Sequence, residues 1–430
     1  MLKNLDNTLI ISIFTGLIHK IRKQMTNNSY PNIKSLINSV LTKSTAFQTL
    51  KECRQNFITS VFICFMSIKG KINFLQMQRY TEKCEQYFRI HFENRTNFQD
   101  INLSLIKEKV SECIVAFDPG FINKSGKKTY GLGCYRSGCA GRAKRGLEIC
   151  GFAAVDTALN TAFHLNAIQT PMSKDFNLLH WYCQIIRENY LYFKELTNCL
   201  VADSFFAKSE VVETITALGM HFISRLRDDA VLFYLSREPK TGKRGAPRKY
   251  AGRVKPSEPD MNFFTLCHDT KDLKVYNATV CCKAFGRNIN LSIAVFFNSD
   301  GKEVARKLYF STGLKMDGFK IVSYYRSRFQ IEFLYRDAKQ HCGLEDCQAR
   351  SKNKLHFHFN ASLTTVNLAR LHWLDTGKSD SDAFSMADFK TMCHNMMLIE
   401  RFFSVFAINP NTPINQQKIK ELYKYGCIAA

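Results

Sequence analysis

The chain has 430 residues, 45% of them hydrophobic, which is enough for two or three domains with sizeable buried cores. Lys and Arg number 60 against 37 Asp and Glu, and the formal charge of +23 calls for a polyanionic partner, nucleic acid or an anionic membrane surface. The longest apolar runs, Leu9–Ile18 and Phe57–Ile68, contain polar residues and fall short of the roughly 18 to 20 apolar residues of a membrane span, so no membrane association is expected.

Leu9–Ile18 reads as an ordinary helix. Asp6 precedes it, and Lys20, Arg22 and Lys23 follow where a signal peptide would have small residues. Residues 1–110 are mostly helical in pattern, carry 16 Lys and Arg against 7 Asp and Glu, and are expected to form a helical DNA-binding domain. Within them, 73–94 reads as two helices broken near Tyr80–Thr81. Thr81 is the expected cap of the second, with Tyr87, Phe88 and Phe92 inward and Lys83, Arg89 and Arg95 outward, a candidate helix-turn-helix. Sixteen cysteines without regular spacing fit a reducing cytoplasm. Two pairs, Cys134 with Cys139 and Cys342 with Cys347 near His356 and His358, are spaced more loosely than zinc knuckles and read as small buried hydrophobes.

From residue 113 the pattern changes to short apolar runs. Strands are expected at 113–120, 151–157 and 162–170, then an amphipathic helix over about 175–197, a strand at 199–206, a helix at 208–218 and a strand at 221–226. This is a mixed α/β core. The loop 124–145, with seven Lys and Arg and no acid, is an expected phosphate contact. Residues 236–258 hold eight Lys and Arg against two Glu, with Gly and Pro that break regular structure. Arg244, Arg248 and Lys249 lie in this basic arm, which is suited to a phosphate backbone or minor groove. Residues 263–312 read as inserted β-strands.

Two strands end in aspartate, "IVAFD" at Asp118 and "LVAD" at Asp203. Each has a local reading, a turn or a cap, but a carboxylate at the end of a buried strand is also stabilised by a divalent cation. In "YYRSRFQIEFLYRDAKQHCG" (324–343), Tyr325, Arg328, Glu332 and Lys339 sit at offsets of three, seven and fourteen. On one continuous helix these fall within an arc of roughly 60°. Three carboxylates drawn together repel one another unless Mg²⁺ neutralises them, and two such ions activate a water or 3′-hydroxyl and stabilise the leaving oxygen of a phosphodiester. Arg328 and Lys339 would hold flanking phosphates, and Tyr325 would bond a phosphate or stack on a base.

The Tyr-x₂-Arg-x₃-Glu-x₆-Lys spacing, with Asp118 and Asp203 upstream, resembles the bacterial insertion-sequence transposases of the DDE class, in the branch with the Tyr-Arg-Glu-Lys signature. The resemblance implies a ribonuclease-H-like mixed-sheet catalytic core over 111–235 and 313–375. It also implies a β-rich insertion with the basic arm over 236–312, a helical segment over 376–430 and the N-terminal all-helical DNA-binding domain. Asp118, Asp203 and Glu332 would be the catalytic, metal-binding triad, with Mg²⁺ as cofactor and Mn²⁺ able to substitute. The expected activity is cut-and-paste cleavage at inverted repeats and strand transfer into target DNA, by a homodimer holding double-stranded transposon ends and target in a synaptic complex. The stretch "HFHFNASLTTVNLAR" (356–370) is similar to the family's C-terminal helix. A nuclease of the same fold that does not rejoin DNA, and a DNA-binding repressor derived from a transposase, are the rival readings.

Overall fold

A computed structural model describes residues 32–138, 140–172, 176–237, 248–377 and 383–428. The helix expected at Leu9–Ile18 lies outside them. Among the described residues six helices come first: α1 (Ile33–Leu41), α2 (Thr45–Gln48), α3 (Glu52–Ser67), α4 (Phe74–Tyr80), α5 (Glu85–His91) and α6 (Phe98–Ile106). Asn32 and Ser35 start α1 as a reciprocal capping box. Thr81 does not cap α5. It ends α4, its hydroxyl donating to the Met77 carbonyl, and Cys84 takes the cap position. Phe88 and Phe92 are buried as expected, Phe92 against Phe57, Phe74 and Phe357.

The mixed α/β part follows, with β1 (Cys113–Asn123), β2 (Gly133–Ser137), β3 (Arg142–Asp156), β4 (Thr161–Gln169), α7 (Leu178–Lys194), β5 (Cys199–Ala202), α8 (Ser209–Ala217) and β6 (His221–Leu226). β1 is antiparallel to β3, β3 to β4, and β1–β5–β6 are parallel. This arrangement is compatible with a ribonuclease-H-like core. The basic stretch 124–145 is not simply a loop: β2 and the start of β3 pair within it as a hairpin. Tyr135 and Ser137 turn inward while Cys134 and Arg136 face solvent, a period-two alternation that the charges disguise in the sequence.

β7 (Leu232–Leu235) follows, and within the 236–312 interval lie β8 (Tyr250–Arg253), β9 (Thr265–Asp269), β10 (Leu273–Cys282), β11 (Arg287–Phe297) and β12 (Glu303–Ser311). They do not stand apart. β12 pairs with β6, and one sheet runs β2-β3-β1-β5-β6-β12-β11-β10-β7-β8, with β4 on β3 and β9 on β10. β8 arises within the basic arm and sits at the sheet margin, where Gly252 and flanking charges are tolerated.

α9 (Gly318–Ser327), α10 (Gln330–His341), α11 (Lys352–Asp375), α12 (Met386–Phe406) and α13 (Pro413–Tyr423) complete the chain. α11 is buried along most of its length, and α1, α3 and α6 pack on it, so the hydrophobic core is continuous between N-terminal helices and sheet. Its polar residues meet the edge of β4. Asn360 accepts from the Ala167 amide (2.9 Å) and donates to the Ala167 carbonyl (2.9 Å), while two turns later Asn367 does the same at His164 (2.7 and 2.8 Å). Arg370 donates to the Ala162 carbonyl at 2.7 Å. Side chains thus satisfy backbone groups that a neighbouring strand would otherwise have taken. No helix among the described residues is long and apolar enough to cross a membrane.

Candidate active site

β1 delivers Asp118 after the buried run Cys113–Phe117, and β5 delivers Asp203 after Cys199–Ala202. Phe117 stands opposite Ala202 in the parallel pair, so the two aspartates follow side by side, one strand spacing of about 4.8 Å apart along the backbone. Asp203 also has its local role: its Oδ1 accepts from the Phe205 amide at 2.9 Å and caps the short 3₁₀ turn Ser204–Phe206.

The stretch 324–343 is two helices, not the single helix expected. Between α9 and α10 the hydrogen bonds tighten to i→i+3, Phe329 to Arg326 (3.2 Å), Ile331 to Arg328 (3.1 Å) and Glu332 to Phe329 (3.0 Å). Neither Gly nor Pro lies at the break; Arg328 occupies it. Its Nη1 donates to Asp118 Oδ1 at 3.0 Å and its Nη2 to Glu332 Oε1 at 3.1 Å. One guanidinium therefore joins a strand acid to a helix acid. The Arg328 side chain is 11% exposed, Asp118 20% and Glu332 42%. α10 ends where Gly343 takes the left-handed conformation (φ 63°) and the Leu344 amide returns to the Ala338 carbonyl at 3.1 Å.

Burial pushes the Asp118 carboxyl up to about 7; Arg328 pulls it down, and Glu332, Asp203 and Glu148 push it further up. Burial also works against the charge of Arg328, but Asp118, Tyr325 and Glu332 beside it hold the guanidinium above its ordinary value. The donors suit a hard divalent cation, being carboxylate oxygens around a position where one positive group already lies between two of them. Among the described residues no three His, Cys, Asp or Glu side chains are grouped closely enough to ligate a metal as they stand, and Arg328 lies between Asp118 and Glu332. Of the cysteine pairs, Cys342 and Cys347 are buried free thiols, Cys134 is exposed rather than buried, and Cys139 lies outside the described residues.

Tyr325 is half-buried against Tyr309 (ring centres 4.9 Å apart), with the Arg328 guanidinium carbon 5.9 Å from its ring centre. Lys339 is engaged by the protein itself, donating to the Phe121 carbonyl at 2.7 Å and pairing with Glu345 at 3.2 Å. Asp118, Asp203, Tyr325, Arg328 and Glu332 are thus brought together, with Lys339 two turns along α10. Arg248 and Lys249 are exposed just before β8, which five strands separate from β5. Arg244 lies outside the described residues.

Sequence reasoning missed Glu148. It lies in the buried, mostly apolar part of β3, which ends in a second acid, Asp156, and the Thr170 and Tyr182 hydroxyls donate to its Oε1 at 2.8 and 2.9 Å. It lines a cleft of about 1380 Å³ together with Asp118, Asp203, Arg136, Lys208 and Arg227. The cleft's lining holds four cations, Arg136, Lys208, Arg227 and Lys283, and four acids, with Arg227 paired to Asp229 at 3.1 Å, so groups able to bind a phosphodiester stand beside the carboxylates.

A family model described as the transposase DDE domain matches residues 140–368, more than half of the chain, and the protein belongs to that family. The matched interval takes in Asp203, the break at Arg328 and Glu332, and begins after Asp118. No curated protein matches the chain. Family membership makes this a transposition enzyme acting on DNA.

Proposed function

We propose that the protein is an insertion-sequence transposase of the Tyr-Arg-Glu-Lys branch. On this reading it cleaves DNA at the inverted repeats of its element and joins the freed 3′-hydroxyl ends to target DNA, as a homodimer in a synaptic complex. Asp118, Asp203 and Glu332 are the catalytic acids and would hold Mg²⁺, or Mn²⁺ in its place. The observation that carries this reading is the Arg328 guanidinium shared between Asp118 and Glu332, beside the strand that ends in Asp203. Asp118, Asp203 and the Arg328–Glu332 pair are widely separated in sequence, and a purely structural ion pair has no need of a second and third acid at the same place.

Bound at these carboxylates, a divalent ion supplies the positive charge that activates the attacking hydroxyl and steadies the leaving oxygen. The chain's own residues prepare for this. Arg328 keeps Asp118 and Glu332 from repelling each other, and its exchange from carboxylate to phosphate when DNA arrives would free both acids. Tyr325, Arg328 and Lys339 line the helical side of the strand path, while Arg136, Lys208 and Arg227 line the cleft side. Arg248 and Lys249, just before β8, would contact DNA away from the reacting bond, and Arg244 is proposed as a further DNA contact.

The test uses purified protein, Mg²⁺ and a plasmid carrying the DNA that flanks this gene, with wild type compared to Glu332→Gln. Gln preserves shape and removes the charge, so DNA binding is expected to persist while cleavage at the element ends and joining to a second plasmid are lost. Equal cleavage by both proteins would assign the chemistry to another acid. Binding without cleavage by either would favour the repressor.

A further inference from the structure

We infer that Tyr335 sets the separation between Asp118 and Glu332, seated in a socket formed by Gly120 and Gly151; the inference rests on the roles proposed above for those two acids. Tyr335 follows Glu332 by three residues and precedes Lys339 by four, so it lies on the same face of α10. Its hydroxyl donates to the Asp118 carbonyl oxygen at 2.7 Å, and its ring is buried. Gly151 stands opposite Asp118 across the β1–β3 pair, and Gly120 lies two residues beyond Asp118 on the same face.

The two glycines are there for space. Neither has the left-handed backbone that favours glycine. A Cβ on Gly151 would lie 2.0 Å from the Tyr335 hydroxyl oxygen and 2.9 Å from Cζ, and one on Gly120 would lie 3.3 Å from Cζ. Any side chain at 151 therefore expels the ring. Phenylalanine would fill the same volume, so it is the hydroxyl on the Asp118 peptide that packing alone leaves unexplained.

Three bonds tie the helical side of the site to β1: Arg328 to the Asp118 carboxylate, Tyr335 to the Asp118 carbonyl and Lys339 to the Phe121 carbonyl. The first is ionic, and an arriving phosphate can displace it. The Tyr335 bond is made to backbone by a neutral group, so it persists when Arg328 lets go and keeps Glu332 in register with Asp118. Tyr335 is in this sense a positioning residue, and it touches neither DNA nor metal.

The test compares wild type, Tyr335→Phe, Gly151→Ala, the double variant Gly151→Ala with Tyr335→Leu, and Glu332→Gln. Each is assayed for melting midpoint, affinity for element-end DNA, single-turnover cleavage and Mn²⁺ binding by electron paramagnetic resonance in the absence of turnover. Tyr335→Phe is expected to fold and bind DNA as wild type, while its cleavage rate and Mn²⁺ affinity each fall by about tenfold, the scale of one lost hydrogen bond. Gly151→Ala is expected to lose stability, and the double variant to regain it without regaining the rate. The inference is overturned if Tyr335→Phe cleaves and binds Mn²⁺ as wild type, or if its rate and stability fall together while the folded protein's Mn²⁺ affinity is unchanged. Full activity in Gly151→Ala or in the double variant overturns the socket. Loss of activity in Glu332→Gln with a normal Tyr335→Phe would sink the positioning inference alone, whereas an active Glu332→Gln would sink the assignment of the acids themselves.

Discussion

Arg328 contacts two carboxylates at once, and its geometry makes the nearest replacement informative. A guanidinium offers two forked N–H pairs and a lysine a single point charge, so Arg328→Lys keeps the charge but cannot hold Asp118 and Glu332 together. Cleavage is expected to drop by about a hundredfold, with affinity for element-end DNA nearly unchanged, as read by a gel shift beside a cleavage assay. A second residue-scale prediction concerns His164. Burial pushes its imidazole down to about 3, and its Nε2 bonds to Asn360 Oδ1 at 3.0 Å. The unfolded chain takes up this proton near pH 6.5 and the folded chain does not, so His164 is fully compatible with folding above that pH and costs stability as the pH falls towards 3. His356, pushed down by burial to about 4, acts in the same direction. Asp118, pushed up to about 7, acts in the opposite one, so the comparison must be made within one residue. Between pH 6.5 and 5 the urea stability of wild type is expected to fall by about 2 kcal/mol more than that of His164→Gln.

At the scale of elements, the contact of α11 with β4 depends on two asparagines seven residues apart. Asn360→Ala leaves the Ala167 amide and carbonyl without partners in a buried place, and a loss of about 3 kcal/mol is expected in chemical denaturation. The helix itself was expected from the likeness of "HFHFNASLTTVNLAR" to a family helix, whereas the strands leading to Asp118 and Asp203 were legible directly, because apolar runs followed by an acid are local patterns. The break at Arg328–Phe329 was not legible: it has no Gly or Pro, and the partner of the residue at the break is a carboxylate on a strand some two hundred residues earlier. Tyr335 is an instructive omission. It shares the face of Glu332 and Lys339, but Tyr in an amphipathic helix reads as core until its partners at Gly120 and Gly151 are known. The β2–β3 hairpin was hidden by charge on its outward positions, and the Thr81 cap was misplaced because α4 retains that residue at its own end.

For the whole molecule, the charge of +23 carries a prediction independent of any single residue. If about six to ten phosphates are contacted, raising salt from about 50 to 200 mM is expected to weaken DNA binding by roughly 10³ to 10⁵-fold. Affinity that stays flat across that range would contradict the placement of the basic segments on DNA. The continuity of the sheet from β2 to β8 was beyond the reach of sequence, since strand neighbours are chosen by partners that no periodicity reveals. Its two margins differ in a way that matters for how such a molecule can vary. A sheet is in effect a polymer that grows by adding strands, and here one terminus is chemically blocked: along β4 the amides of Asn360 and Asn367 and the guanidinium of Arg370 occupy the sites where the next strand would add. Growth of the sheet past β4 is closed off, whereas among the described residues six strands continue it beyond β6, and the spacing of Asp118 from Asp203 rests on the direct pairing of β1 with β5.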